Sequence, residues 1–150
     1  MKYLNYDHAW LTKHGAIHTA REISQQPRLW RELLISLEQS QPLWKNWLSD
    51  LLATPDLRII LTGAGSSAFA GRALMPWLRE TTGLQIDAIS TTDIVAHPNA
   101  YFSTNSSTKN SSNNPTLLVS FARSGNSPES VAAVALADQL IPNCHHLVLT

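Results

Sequence analysis

The run Leu57-Arg58-Ile59-Ile60-Leu61-Thr62 constrains the fold more than any other part of the sequence. It is too continuously apolar for a strand wetted on one face. Its length and β-branching suit a strand buried on both faces, the environment of a parallel sheet. Directly behind it comes Gly63-Ala64-Gly65-Ser66-Ser67, a turn of small residues, then a helical pattern from about Ala68 to Thr82 that Gly83 closes as a left-handed cap. Pro76 is expected to kink that helix. Leu84 to Ser90 reads as the next strand, so strand, glycine turn, helix and strand make one βαβ unit. Thr116 to Phe121 and His146 to Thr150 read as two further strands. Between them Ser127-Pro128-Glu129 opens a helix reaching about Leu140, with a serine cap, a proline in the first turn and a carboxylate on the helix dipole.

Ahead of this domain, 1–56 reads as a helical arm and 57–150 as the sheet domain. Thr19 with Glu22 forms a capping box that opens a helix ending near Gln26, because Pro27 does not comfortably continue it. Pro27 then opens a second helix with Leu29, Trp30, Leu33, Leu34 and Leu37 on one stripe, and Pro42 a third carrying Trp44 and Trp47. From Thr91 to Asn114 periodicity is lost, so Asp93 reads as a turn residue and His97 as part of an irregular stretch. Within it 103–114 is low in complexity and is expected to be a surface insertion.

Composition narrows the function. At 150 residues with 43% hydrophobic, the chain can bury one core. Eleven basic residues against eleven acidic ones give a formal net charge of zero, so no electrostatic footprint argues for nucleic acid or an anionic membrane. No run approaches the roughly eighteen apolar residues that cross a bilayer, and a cytoplasmic protein is expected. The single cysteine, Cys144, excludes an internal disulfide, and with only His145 and His146 beside it makes a poor metal site. No metal and no cofactor are expected.

An anionic ligand must therefore be held by local geometry. Each of two buried strands ends in a small-residue turn, Gly63 to Ser67 and Arg123 to Ser127, whose serines sit at a helix N-terminus. Free backbone N–H groups and the helix dipole favour an anion there, and hydroxyls add directional hydrogen bonds. In an open parallel sheet both turns lie at the carboxyl ends of strands, where ligands of this architecture bind. The simpler reading of either turn alone is that Ser67 and Ser127 only cap their helices. A competing one takes Gly63-x-Gly65-x-x-Ala68 as a dinucleotide fingerprint with Asp87 as the ribose-binding acid, although Asp87 lies inside its strand and the second turn is then unexplained.

The stretches His18 to Pro27, Gly65-Ser66-Ser67 and Ser120-Phe121-Ala122-Arg123-Ser124-Gly125-Asn126-Ser127-Pro128-Glu129-Ser130 together resemble the SIS (sugar isomerase) phosphosugar-binding family. They look most like its AgaS branch, whose members are described as tagatose-6-phosphate ketose/aldose isomerases or galactosamine-6-phosphate deaminase/isomerases. The resemblance implies a three-layer α/β parallel-sheet, flavodoxin-like domain behind a helical arm. It further implies that Ser66, Ser67, Arg123, Ser124 and Ser127, with loop glycines Gly63, Gly65 and Gly125, form the site of a sugar 6-phosphate. Ala122 stands where the similar isomerase half of glucosamine-6-phosphate synthase has a further serine.

The arm's apolar face, including Trp30, Trp44 and Trp47, is expected to pack against the domain or a second chain, so a homo-oligomer is expected. The resemblance leads us to expect the N-terminal part of a longer, tandem-domain enzyme, because the catalytic glutamate and ring-opening histidine of such proteins lie in a second domain and the first normally has a fifth strand and closing helix. Isomerisation needs a base near neutral pKa and an acid to open the ring, and deamination needs water as well. Glu22 and His18 are the arm's only titratable candidates, and neither completes a catalytic set. Two readings stand at this stage: the phosphate-binding half of an amino-sugar or ketose 6-phosphate isomerase or deaminase, and a non-catalytic phosphosugar-binding module.

Overall fold

A computed structural model describes residues 2–102 and 114–150. All of the serine- and asparagine-rich stretch expected as a surface insertion, except Asn114, lies outside the described residues. The chain divides into two compact units, residues 1–50 and 51–150.

The first unit opens with a small antiparallel ribbon, β1 (Lys2–Tyr3) and β2 (Tyr6–Asp7), joined through Leu4 and Asn5 at positive φ. Asp7 caps α1 (His8–Lys13), its carboxylate accepting from the Trp10 amide at 2.7 Å. Trp10 stacks between Tyr6 and His14, with ring centroids 4.4 and 4.0 Å away. A single helix follows, α2 (Ile17–Leu52), 36 residues long, with Pro27 and Pro42 inside it.

This corrects the expectation of three helices. Each proline removes one donor and costs about 3 kcal/mol in a helix interior. Breaking the helix instead would require a new cap and a new nucleus at each site, which short segments support poorly. Residues around both prolines are exposed, so the freed carbonyls can bond water, and the Arg28–Glu32 pair at 2.6 Å spans the turn after Pro27. The capping box is absent as well. The helix already starts at Ile17, with the Ala20 amide bonded to Ala16 at 2.9 Å, so Thr19 lies inside it and Glu22 is engaged by Arg21 and Gln25.

The second unit is the parallel sheet. Its strands are β3 (Arg58–Gly63), β4 (Gln85–Ser90), β5 (Thr116–Phe121) and β6 (Cys144–Leu149), all paired parallel in the order β4-β3-β5-β6. In β3 every residue after Arg58 is buried, as its unbroken apolar run requires. Alternation sends Ile60 and Leu61 to opposite faces. Ile60 joins Leu118 of β5 and Ile94, Phe102, Ala133, Ala137 and Ile141 in one core. Leu61 meets α3 (Ser66–Thr82) on the other face, at Gly71, where a Cβ would stand 3.1 Å from the Leu61 Cβ. Helices on both faces of a parallel sheet make this a three-layer α/β fold, as expected.

The boundaries of α3 and its cap follow the sequence closely. Gly83 closes the helix at φ 69°, and Pro76 is contained within it. Strands β3, β4 and β6 each depart from their sequence-based limits by one or two residues. The stretch after β4 departs further. Where irregular chain was expected there are two short helices, α4 (Thr91–Ala96) and α5 (Pro98–Phe102). Asp93 is in the first turn of α4, its amide donating to Ser90 Oγ at 3.1 Å, and His97 is its C-terminal cap residue. Five or six residues are too few to show a 3.6-residue period. What holds these helices is tertiary: Ile94 and Phe102 are buried in the core of the Ile60 face.

Candidate functional site

The sheet order places β3 and β5 side by side, with β4 beyond one and β6 beyond the other. The chain direction of successive crossovers reverses between them, so a crevice opens outside their carboxyl ends. Gly63 ends β3, so it belongs to the strand rather than to the loop where the sequence put it. Ala64 follows, then Gly65 at φ 55°, ψ −123°, a conformation that L side chains rarely adopt. The helix α3 begins at once with Ser66 and has no side-chain cap.

That absence disposes of the capping reading for Ser67. Both Ser66 and Ser67 are inside the first turn, and neither hydroxyl makes a hydrogen bond among the described residues. Backbone carbonyls take the first-turn amides instead: Ser67 donates to Ala64 and Ala68 to Gly65, each at 3.1 Å, so the two hydroxyls are the groups left to solvent or a ligand.

The second turn is built differently. After Phe121 ends β5, the Ala122 amide donates to Leu149 of β6 at 3.0 Å, fixing the start of the loop. Arg123 and Ser124 are exposed, and Gly125 turns the chain at φ 70°. Ser124 Oγ lies 3.5 Å from the Asn126 amide. Ser127 is the N-cap of α6 (Pro128–Leu140), as its sequence context required. Its hydroxyl donates to Ser130 Oγ at 2.8 Å and accepts from the Ser130 amide at 3.4 Å. One helix start therefore has a side-chain cap and the other has none.

The two turns share one cavity of about 290 Å3, walled by Ser66, Ser67, Arg123, Ser124 and Ser127 together with Ala64, Phe121, Ala122, Gly125, Glu129 and Ser130. All five polar residues singled out in the sequence thus stand around one space. Of the three glycines, Gly125 lines this cavity, Gly63 lines its neighbour, and Gly65 lines neither. The neighbouring cavity, about 240 Å3, has Thr91, Ser120, Val131, Val134 and Val148 in its walls and shares Phe121, Ala122, Gly125 and Ser130 with the first. Sequence reasoning missed Ser130 and Glu129 as wall residues. The signal was their position in the first turn after the Ser127 cap, which was read only as capping.

Asp87 cannot serve as the ribose-binding acid of a dinucleotide fold. Its carboxylate accepts from Arg58 Nε at 2.9 Å and Nη2 at 2.8 Å, and from Arg79 Nη2 at 3.0 Å. It pairs with Ile60 in register, inside β4 and away from the carboxyl ends. Arg58 also donates to the Tyr101 carbonyl at 2.8 Å, so this group ties β3, β4 and α5 together. His18 and Glu22 belong to the first unit, and the cavity to the second. Among the described residues no group of three or more His, Cys, Asp or Glu could hold a metal ion, and no helix is long and apolar enough to cross a membrane.

Strand order, helix layers and paired serine turns define a sugar-isomerase (SIS) type domain, and comparison with known proteins agrees. No protein-family model matches the chain. The D-galactosamine-6-phosphate deaminase AgaS of Shewanella sp. (strain ANA-3) is 49% identical over 143 residues, 93% of this chain and 35% of that protein. The D-galactosamine-6-phosphate deaminase AgaS of Escherichia coli is 47% identical over 132 residues, 88% of this chain and 32% of that one. The crystal structure of tagatose-6-phosphate ketose/aldose isomerase from Escherichia coli superposes with a TM-score of 0.78 at 47% identity, covering 87% of this chain and 33% of that one. One from Clostridium novyi NT, assigned to the same isomerase class, gives a TM-score of 0.86 at 40% identity, covering 99% and 36%. The chain is similar to these AgaS-like proteins along most of its own length, and it spans about a third of the length of the relatives it matches.

Proposed function

We propose that the second unit binds a sugar 6-phosphate at the two serine turns, as the phosphate-anchoring part of an amino-sugar or ketose 6-phosphate isomerase or deaminase. The observation that carries this reading is the convergence of Ser66, Ser67, Arg123, Ser124 and Ser127, from two separate turns, on one cavity beside an uncapped helix start. A phosphate uses all of these features. Its oxygens accept from the hydroxyls, Arg123 supplies a forked charged donor, and each helix dipole adds roughly 0.3–1 kcal/mol. The names of the relatives supply the substrate class, galactosamine 6-phosphate or tagatose 6-phosphate.

Among the described residues the cavity has no histidine in its wall, and Glu129 is its one carboxylate. Isomerisation needs both a base at C1 and C2 and an acid for ring opening. The wall therefore supports anchoring rather than proton transfer, which favours the non-catalytic module as a second reading for these residues on their own. Calorimetric titration of galactosamine 6-phosphate, galactosamine and NAD tests the binding claim. Binding of the sugar phosphate alone is expected, and binding of NAD alone would overturn it. Turnover of galactosamine 6-phosphate or tagatose 6-phosphate by the same chain separates enzyme from module.

A further inference from the structure

Glu129 stands in the wall of the same cavity as Arg123. Neither side chain has a hydrogen-bond or ion-pair partner among the described residues. The position of Glu129 in the first turn of α6 explains a favourable interaction with the helix dipole. It does not explain why a carboxylate stands beside an opening whose other polar groups are hydroxyls, amides and a guanidinium. A carboxylate there repels an anion. The repulsion becomes a net attraction only for a ligand that also carries a cation, placed away from its phosphate.

We propose that Glu129 is a specificity-determining residue that accepts a hydrogen bond from the ammonium group of an amino-sugar phosphate, while the serine turns and Arg123 take the phosphate. The inference rests on the phosphosugar reading above and narrows it to zwitterionic ligands. Arg123 and Glu129 are opposite charges that share a cavity without pairing, so each is available to the complementary end of one molecule. The role is in binding, and no bond is made or broken by Glu129.

The test compares galactosamine 6-phosphate with galactose 6-phosphate, which differ only in ammonium against hydroxyl at C2, titrated into the 150-residue chain near neutral pH. The unaltered chain is expected to prefer the amine by about tenfold or more, the value of a hydrogen bond to a charged group. Glu129→Gln should bring the preference close to unity by weakening the amino sugar alone. A preference that survives the substitution overturns the proposal, as does a parallel tightening of both sugars, which would reveal repulsion only. Glu129→Asp keeps the charge on the helix dipole and is the variant to read if the glutamine form does not fold; its shorter side chain should lose part of the preference, and an undiminished preference counts against the proposal. Equal binding of both sugars to the unaltered chain removes the role of Glu129 but leaves the phosphosugar reading standing. Binding of neither removes both.

Discussion

Gly63, the last residue of β3, sits against Phe121, the last residue of β5, so closely that a Cβ on Gly63 would stand 2.9 Å from the Phe121 carbonyl oxygen. The same Cβ would stand 2.7 Å from the Cβ of Ser67. One missing side chain thus lets the strand end, the start of α3 and the neighbouring strand end meet, and the two serine turns adjoin because of it.

Gly63→Ala is accordingly expected to destabilise the fold by roughly 1–3 kcal/mol, the cost of an extra group in a packed site facing backbone that cannot yield. It should also weaken sugar-phosphate binding by moving the turns apart. Gly125→Ala is the comparison: nothing lies within 4 Å of its Cβ position, so only its positive φ is penalised, by about 1 kcal/mol. Urea denaturation of both variants checks the order. Equal stabilities would contradict the close approach.

Ser124 and Ser127 should separate binding from folding. Ser124→Ala removes one bond to a charged phosphate, worth roughly 1.5–3 kcal/mol or about tenfold or more in Kd, and its exposed position predicts little change in stability. Ser127→Ala should lose affinity and also about 1 kcal/mol of stability, because that hydroxyl caps α6. The measurement is calorimetric affinity beside the thermal midpoint for each variant. A Ser124→Ala protein that binds as the unaltered chain does would remove Ser124 from the site.

Asp87→Ala should destabilise the sheet domain by about 1–3 kcal/mol, since it strands the largely buried Arg58 guanidinium without its anion. Arg79 is half exposed and contributes less. Ligand affinity is expected to stay within about twofold, because Asp87 lies inside β4 and lines neither cavity. Denaturation and titration of the same sample decide it; a large loss of affinity with intact folding would return Asp87 to a ligand role.

Burial, with the Asp138 carboxylate adding to it, pushes the Cys144 thiol from 9.0 up to about 11. The folded protein therefore holds this proton more tightly than the unfolded chain, so the contribution to stability is full below pH 9.0 and is lost as pH rises towards about 11. At pH 8 the thiolate fraction should be about a hundredfold lower in the folded protein than in the unfolded chain. Alkylation rates with and without urea measure this. Equal rates would show that Cys144 is not protected.

The long helix α2 leaves Trp30 61%, Leu33 56%, Leu34 61% and Leu43 86% exposed. That much apolar surface is rarely left in water, so a homo-oligomer is proposed, and sedimentation should show a dimer or larger species. Trp30→Glu should shift the equilibrium towards monomer. A well-behaved monomer at all concentrations would exclude this role for the helix.

How much of this was legible beforehand depended on how local the cause was. The buried strands, the Gly83 cap and the Ser127-Pro128-Glu129 helix start were readable, because burial on two faces, a positive φ and a capping hydroxyl act within a few residues. Three other features depended on distant chain. The prolines of α2 did not divide it, since helix continuity there outweighs two missing donors. Helices α4 and α5 are too short to show a period and exist because Ile94 and Phe102 fill the core beside Ile60. The fate of Asp87 was set by Arg58, which is 29 residues away in sequence and adjacent only once β3 and β4 pair. The sequence by itself determined which segments form the parallel sheet and which turns carry serines into a helix start, because those properties are written in neighbouring side chains. Only the tertiary structure decided that both turns share one cavity, that the uncapped start of α3 borders it and that Glu129 and Arg123 both line it, because each of these depends on β3 and β5 lying side by side.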